Sequence, residues 1–327
     1  ALRDAAGVEA ALGLLTKRYG EWIEEQASLD PGSENRRVTL DSLVRRAKIA
    51  CSRIRAGIDL LKSDPTCLRA FALANRAMAD AARKRGAAEP AWRLFQLAFV
   101  LMSLADIADP KSATRNDVDL IYFPTGGGKT EAYLGLVAFA LVLRRMRGRT
   151  RSDGGLGMAV LLRYTLRLLT LDQLGRGARL ICALELLRQE NASELGDTRL
   201  AVGLWVGRSA TANTIDEFRE QNARFRQGSH SPCPLPACPW CDTPFDADSF
   251  STRETPARVL ASCPSLACPF NQGKNPLGAP IVFVDEAIYA ELPCFIVATV
   301  DKLAMLPWRG ATGKLFGRAT SRDPDTF

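Results

Sequence analysis

The chain has 327 residues, 47% of them hydrophobic, enough for one large core or two modest ones and too many for a single small domain. Lys and Arg number 43 against 36 Asp and Glu; the resulting +7 suits an anionic partner such as nucleic acid and fits a mildly basic soluble protein equally well. The longest apolar run, Ala132 to Leu143, is followed at once by Arg144, Arg145 and Arg147 and falls short of the roughly 20 residues that cross a bilayer, so no membrane segment is expected. The opening ALRDAAGVEAALGLL lacks the charged-then-apolar layout of a signal peptide, and the cysteines are either scattered in helical contexts or crowded between Cys233 and Cys268. Both features predict a reducing, cytoplasmic location.

Residues 1–85 are expected to form a helical N-terminal region, because Ala, Leu, Arg and Glu dominate, apolar positions recur at three and four, and Pro31-Gly32 and Asp64-Pro65 punctuate the pattern. After Pro90, WRLFQLAF predicts a helix with a Trp92, Phe95, Phe99 face that also carries Arg93 and Gln96. From Val118 the texture changes to short apolar runs separated by helical stretches: VDLIYF, MAVLL, LAVGLWV, PIVFV and CFIVAT. That alternation predicts an α/β fold around a buried, mainly parallel sheet. Across 207–279 the periodicity fades and Cys, Pro, Asn and Ser accumulate, which predicts an insertion with its own small fold.

The strongest chemical signal is FPTGGGKTE, Phe123 to Glu131, between an expected strand and an apolar helix. Thr125, Gly126, Gly127 and Gly128 would let successive backbone N–H groups face one anion at the positive end of the following helix dipole. Lys129 would neutralise the β- and γ-phosphates of ATP, and Thr130 would offer its hydroxyl to Mg²⁺, with Glu131 next in the helix. A plain glycine turn is the competing explanation, and the strand-loop-helix context disfavours it. The Cys-rich stretch reads CPLPACPWC and then CPSLACPF. Two pairs on tight turns, Cys238 with Cys241 and Cys263 with Cys268, would hold a structural Zn²⁺ through four thiolates, as a loop-rich insertion with little core requires. Cys233 is a possible fifth candidate and His230 a possible substitute, although an isolated His in a Gly-Ser loop is usually solvated.

In this order WRLFQLAFVLMSLADIADP, DLIYFPTGGGKTEAYLGL, RYTLRLLTLDQ, the CPWC insertion and VATVDKLAMLPW resemble superfamily 2 helicase-type ATPases, and within them the DrmA family of the DISARM anti-phage systems. The resemblance covers about Trp92 to Trp308. It implies a RecA-like P-loop domain over 86–206 and 280–327, incomplete in this chain, with 207–279 as the zinc insertion. It also implies an ATP-dependent DNA motor that works with a DrmB-like partner on DNA, single-stranded or duplex with an overhang. Arg93 and Gln96 would then lie near the adenine, the alternative being the core-helix explanation of the same residues. Thr165, Arg167, Thr299 and Lys302 would lie near the DNA backbone, while Arg163 and Arg167 fit a solvated helix face as well. Trp308 could stack on a base or simply pack.

The acidic box that holds Mg²⁺ has two possible positions. VFVDEAIY offers Asp285 and Glu286 at a strand end, yet VATVDKLA follows it, the reverse of the family order. Either the box lies beyond Phe327 or Asp285 and Glu286 are the box and Ala298-Thr299 is the next element; the Asp301-Lys302-Leu303 sequel favours the first. The chain shows no second RecA-like domain and no arginine finger, so hydrolysis is expected to need parts outside it. Two rival classes remain: another P-loop DNA translocase of restriction type, and a DNA- or protein-binding module with a vestigial P-loop, against which the intact Gly128-Lys129-Thr130 weighs.

Overall fold

A computed structural model describes residues 4–124, 126–149, 154–164, 167–207, 211–304, 308 and 310–316, with no side-chain description at 167–170. The chain divides into two compact units, one of Ala1–Arg76 and Pro90–Leu143, the other of Ala77–Glu89 and Arg144–Phe327, so the boundary expected at residue 85 does not separate them.

In the first unit, helices α1 (Ala5–Ala27), α2 (Glu34–Ser63) and the start of α3 (Pro65–Lys84) are joined by α4 (Leu94–Ala108) and most of α5 (Lys129–Gly148). Asp4 caps α1 by accepting from the Gly7 N–H at 2.8 Å. Asp64 does the same for α3, accepting from Thr66 and Cys67, and Pro65 fills the first helical position, where no N–H is needed. Val8, Leu12, Ile54, Ile58, Leu61, Leu101 and Leu104 are buried. α2 and α4 approach so closely at Gly57 that a Cβ there would lie 2.0 Å from the Leu101 carbonyl oxygen.

One expected strand is not formed. VDLIYF keeps a two-residue alternation, with Val118, Leu120 and Tyr122 94%, 84% and 93% exposed, but among the described residues it pairs with no strand. Its inward side is held by polar and ring contacts instead: Asp119 accepts two hydrogen bonds from Arg53 of α2, at 2.5 and 2.8 Å, and Phe123 stacks on Phe95 at 3.9 Å between centroids. Asp106 accepts from the same guanidinium at 2.7 Å, sharing Arg53 Nη2 with Asp119. The half-buried Arg53 therefore fixes both the end of α4 and the approach to the glycine loop.

In the second unit, β1 (Val160–Tyr164), β2 (Val202–Trp205), β5 (Ile281–Val282) and β6 (Phe295–Thr299) form a parallel sheet of order β1-β6-β2-β5, matching the other four expected runs. The register places Tyr164 opposite Thr299 and Trp205 opposite Ala298. β2 and β6 are buried along their whole length, as strands covered on both faces must be. The crossover from β1 to β2 is α6 (Arg167–Glu190) with the short α7 (Ala192–Leu195). A Cβ on Gly177 of α6 would come within 2.7 Å of the Phe295 ring, so this glycine lets helix and sheet meet. Between β2 and β5 run α8 (Ile215–Arg226) and the antiparallel hairpin β3 (Phe250–Arg253) and β4 (Arg258–Ala261); α9 (Asp285–Glu291) returns to β6, and α10 (Val300–Ala304) leaves it. No helix among the described residues is long and apolar enough to cross a membrane.

The helix crossing at Gly57 yields a direct test. Gly57→Ala is expected to destabilise by about 1–3 kcal/mol, the cost of overpacking a closed contact, read as a lower urea midpoint at unchanged slope. Gly20→Ala in α1, where nothing lies within 4 Å of the added Cβ, is expected to be neutral or stabilising.

Candidate functional site

The glycine loop is shaped by glycine conformations and by side chains that grip its carbonyls. Gly126 and Gly128 adopt φ of 81° and 91°, which side chains other than glycine rarely tolerate. Gly127 could not carry a Cβ without meeting the Phe123 ring at 2.3 Å, and one on Gly128 would meet the Gln96 amide at 2.6 Å. The buried Gln96 accepts from the Arg93 N–H at 2.9 Å and donates to the Gly128 carbonyl at 2.8 Å, while Arg93 donates to the Gly127 carbonyl at 2.7 Å. With those carbonyls tied back, the loop leads straight into the N-terminus of α5, where the dipole favours an anion.

Lys129 opens α5, and its ammonium donates to the carbonyl oxygens of Phe123 and Pro124. Thr130, buried, accepts from the Tyr133 hydroxyl at 3.0 Å, and Glu131 lies in the same first turn. Thr125 lies outside the described residues. Sequence reasoning missed three supports of this loop. Trp92 donates to Asn75 at 2.6 Å and lies against Gly135; Phe95 stacks on Phe123; Tyr133 reaches Thr130 from one turn on. Only the last was recoverable, since residues three apart share a helix face.

The other expected residues lie in the second unit. Asp285 is buried, and its carboxylate forms an ion pair with the ammonium of Lys302, which is also buried though less completely. Glu286 accepts from the Ile215 N–H at 2.9 Å and so caps α8. Thr299 is buried at the end of β6, and its hydroxyl has no hydrogen-bond partner among the described residues. Lys302 thus points at a carboxylate rather than at solvent. Trp308 is 80% exposed. Arg163 is exposed on β1 and Gln173 is buried on α6. Thr165 lies outside the described residues, as does the side chain of Arg167.

The four cysteines predicted as ligands meet: the sulfurs of Cys238, Cys241, Cys263 and Cys268 all lie within 4.8 Å of one another, with Cys238 to Cys268 at 3.9 Å and Cys241 to Cys263 at 3.4 Å. A tetrahedral zinc with bonds of about 2.3 Å would space its sulfurs by roughly 3.8 Å, so the donor set fits. The first pair rides a knuckle in which the Cys238 N–H donates to the Thr243 carbonyl and Asp242 adopts φ of 58°. The second follows β4 directly, the Cys263 N–H donating to the Phe270 carbonyl. Burial acts to raise the Cys241 thiol, but hydrogen bonds at Thr243 outweigh it and bring it down to about 7, whereas burial pushes Cys263 up to about 12. Cys233 is buried outside the cluster, its thiol likewise raised to about 12 by burial, and His230 lies exposed in its loop. Arg179 of α6 holds the knuckle through the Pro239 carbonyl at 2.7 Å and an ion pair with Asp242.

A glycine loop gripped by Arg93 and Gln96, a parallel sheet and a four-cysteine insertion define the class of chain to which comparison applies. No family model matches it. It is similar to the DISARM protein DrmA of Bacillus paralicheniformis, at 34% identity over 338 aligned residues covering 94% of this chain. The chain spans 29% of the length of that relative.

Metal content checks the cysteine cluster. The purified chain is expected to carry one zinc, retained in Cys233→Ser and lost in Cys268→Ser with a marked fall in melting temperature, as measured by atomic absorption and thermal unfolding.

Proposed function

We propose that this chain is the nucleotide-binding part of a superfamily 2 helicase-type motor, a RecA-like P-loop ATPase, serving an anti-phage defence system of the DISARM kind. The observation that carries this reading is the pair of hydrogen bonds from Arg93 and Gln96 to the carbonyls of Gly127 and Gly128. A mere core helix with an aromatic face would have no reason to place those two polar side chains on a phosphate-type loop, and similarity to DrmA supports the same assignment.

In this reading the N–H groups of Gly126 to Thr130 and the Lys129 ammonium receive the phosphates of ATP, exchanging the Phe123 and Pro124 carbonyls for phosphate oxygens. Thr130 offers its hydroxyl to Mg²⁺, and Thr125 and Glu131 complete the loop's surroundings. Arg93 and Gln96 hold the loop open and lie near the base. Asp285 and Glu286 are engaged in an ion pair and a helix cap, which favours placing the Mg²⁺-holding acidic box elsewhere. Thr165, Arg167, Thr299 and Lys302 remain the residues proposed for the DNA backbone. Lys302 and Thr299 would need to emerge from burial to make that contact, with Lys302 leaving Asp285. A DrmB-like protein is the proposed partner, the cytoplasm the proposed location, and the zinc cluster has a structural role, keeping all four donors as protein thiolates.

DNA-stimulated ATP hydrolysis by the full-length protein tests this. Lys129→Ala is expected to lower turnover by about 10²-fold or more, the scale of removing one group that stabilises developing charge, and Gln96→Ala to weaken ATP-analogue binding to this chain. Absence of DNA-stimulated hydrolysis in the unaltered protein, with DNA binding unaffected by Lys129→Ala and lost in Cys268→Ser, would instead favour a binding module with a vestigial loop.

A further inference from the structure

In the second unit a partly closed cavity of about 70 Å³ lies at the N-terminal ends of the parallel strands. Pro293 and Cys294 before β6, Ala201 before β2 and Gly157 before β1 line it, so it lies at the sheet edge opposite Tyr164 and Thr299. Ligands of open α/β sheets gather at the carboxyl ends of the strands; this cavity is at the other end and is charged.

Three arginines, Arg145, Arg199 and Arg258, line it with one acidic residue, Glu291. Arg145 is 4% exposed, and its described hydrogen bond goes to a backbone carbonyl, that of Arg199, at 3.3 Å. Arg199 uses one nitrogen on the Leu277 carbonyl at 2.7 Å, and its distance to Glu291 is 3.7 Å. Arg258 stands 3.5 Å from the same carboxylate oxygen. Arg199 Nε, Arg199 Nη2, Arg258 Nε and Glu291 Oε1 are buried without hydrogen-bond partners, four of the nine such atoms among the described residues. Among the lining residues, three positive charges against one negative leave an excess of two, since nearby Glu185 is already paired with Arg188; a charge withdrawn from water is stable only when it is paired and hydrogen-bonded.

We propose that this cavity binds a single tetrahedral oxyanion dianion of the phosphate class. A dianion supplies the two missing charges, and its oxygens accept from the orphaned guanidinium N–H groups in the fork geometry that arginine presents. The volume sets the scale: at about 10–15 Å³ for each enclosed water, about 70 Å³ holds roughly five to seven small atoms, enough for free phosphate and too little for a whole nucleotide or sugar phosphate.

Thermal unfolding of this chain in orthophosphate against chloride at matched ionic strength tests the site. Stabilisation is expected to be saturable, to persist in Lys129→Ala, and to disappear in Arg258→Met. Loss in Lys129→Ala, or full retention in Arg258→Met, would overturn the proposal by assigning the effect to the glycine loop or to general salt. Glu291→Gln in the Lys129→Ala background removes a repelling carboxylate and is expected to tighten phosphate binding about tenfold; unchanged or weaker binding counts against the site even if Arg258→Met does not fold. Ribose 5-phosphate is expected to give no stabilisation, and an effect equal to that of orthophosphate would sink the enclosed-oxyanion assignment.

Discussion

Parallel pairing is the constraint from which the second unit follows. Strands that run the same way cannot be joined by a tight turn, so each step along the sheet needs a crossover long enough to return the chain to the starting edge. α6 makes the return from β1 to β2 and α9 the return from β5 to β6. The return from β2 to β5 is the long one, and it is there that the hairpin β3–β4 and the cysteines on either side of it are accommodated, while β1, β6 and β2 remain neighbours in the sheet. Such a segment has too little apolar area to fold alone. Two supports anchor it: the four thiols, and contacts that run through Arg179 to α6 and through the Ala261 to Ala279 bridge toward β5.

The first unit answers a different demand. Its helices close on one another at Gly57 and leave the glycine loop to be shaped by side chains from a neighbouring helix. Backbone carbonyls directed at an anion would repel it; tying those of Gly127 and Gly128 to Arg93 and Gln96 turns the opposite, donor side of the peptide units toward the space at the α5 N-terminus.

Much of this was legible from residue pattern. β2, β5 and β6 show as apolar runs because burial on both faces leaves no room for alternation, and β1 keeps an apolar run although Arg163 is exposed. Cys238-x-x-Cys241 is the tighter knuckle, which disfavours Cys233, although Cys233 stands to Cys238 at the same four-residue interval that separates Cys263 from Cys268; it is the three-dimensional meeting of the four sulfurs that separates them from Cys233. VDLIYF misled because its alternation is real while pairing is a tertiary property: Asp119 found Arg53, sixty-six residues earlier, and no local rule reports such a match. The ion pair of Lys302 was hidden for a related reason: only three-dimensional proximity shows that Asp285 holds its ammonium. The orphaned guanidiniums were invisible too, since Arg145, Arg199 and Arg258 are widely separated in sequence.

The Lys129 ammonium, resting on the Phe123 and Pro124 carbonyls, makes the loop a self-occupied receptor. Any anion entering must compete with internal acceptors, so its observed affinity is the intrinsic one multiplied by the fraction of time the lysine is released. Truncating that lysine removes an attraction and a competitor together. Equilibrium binding will therefore understate what its charge contributes once a phosphate is seated, and turnover will report it more fully.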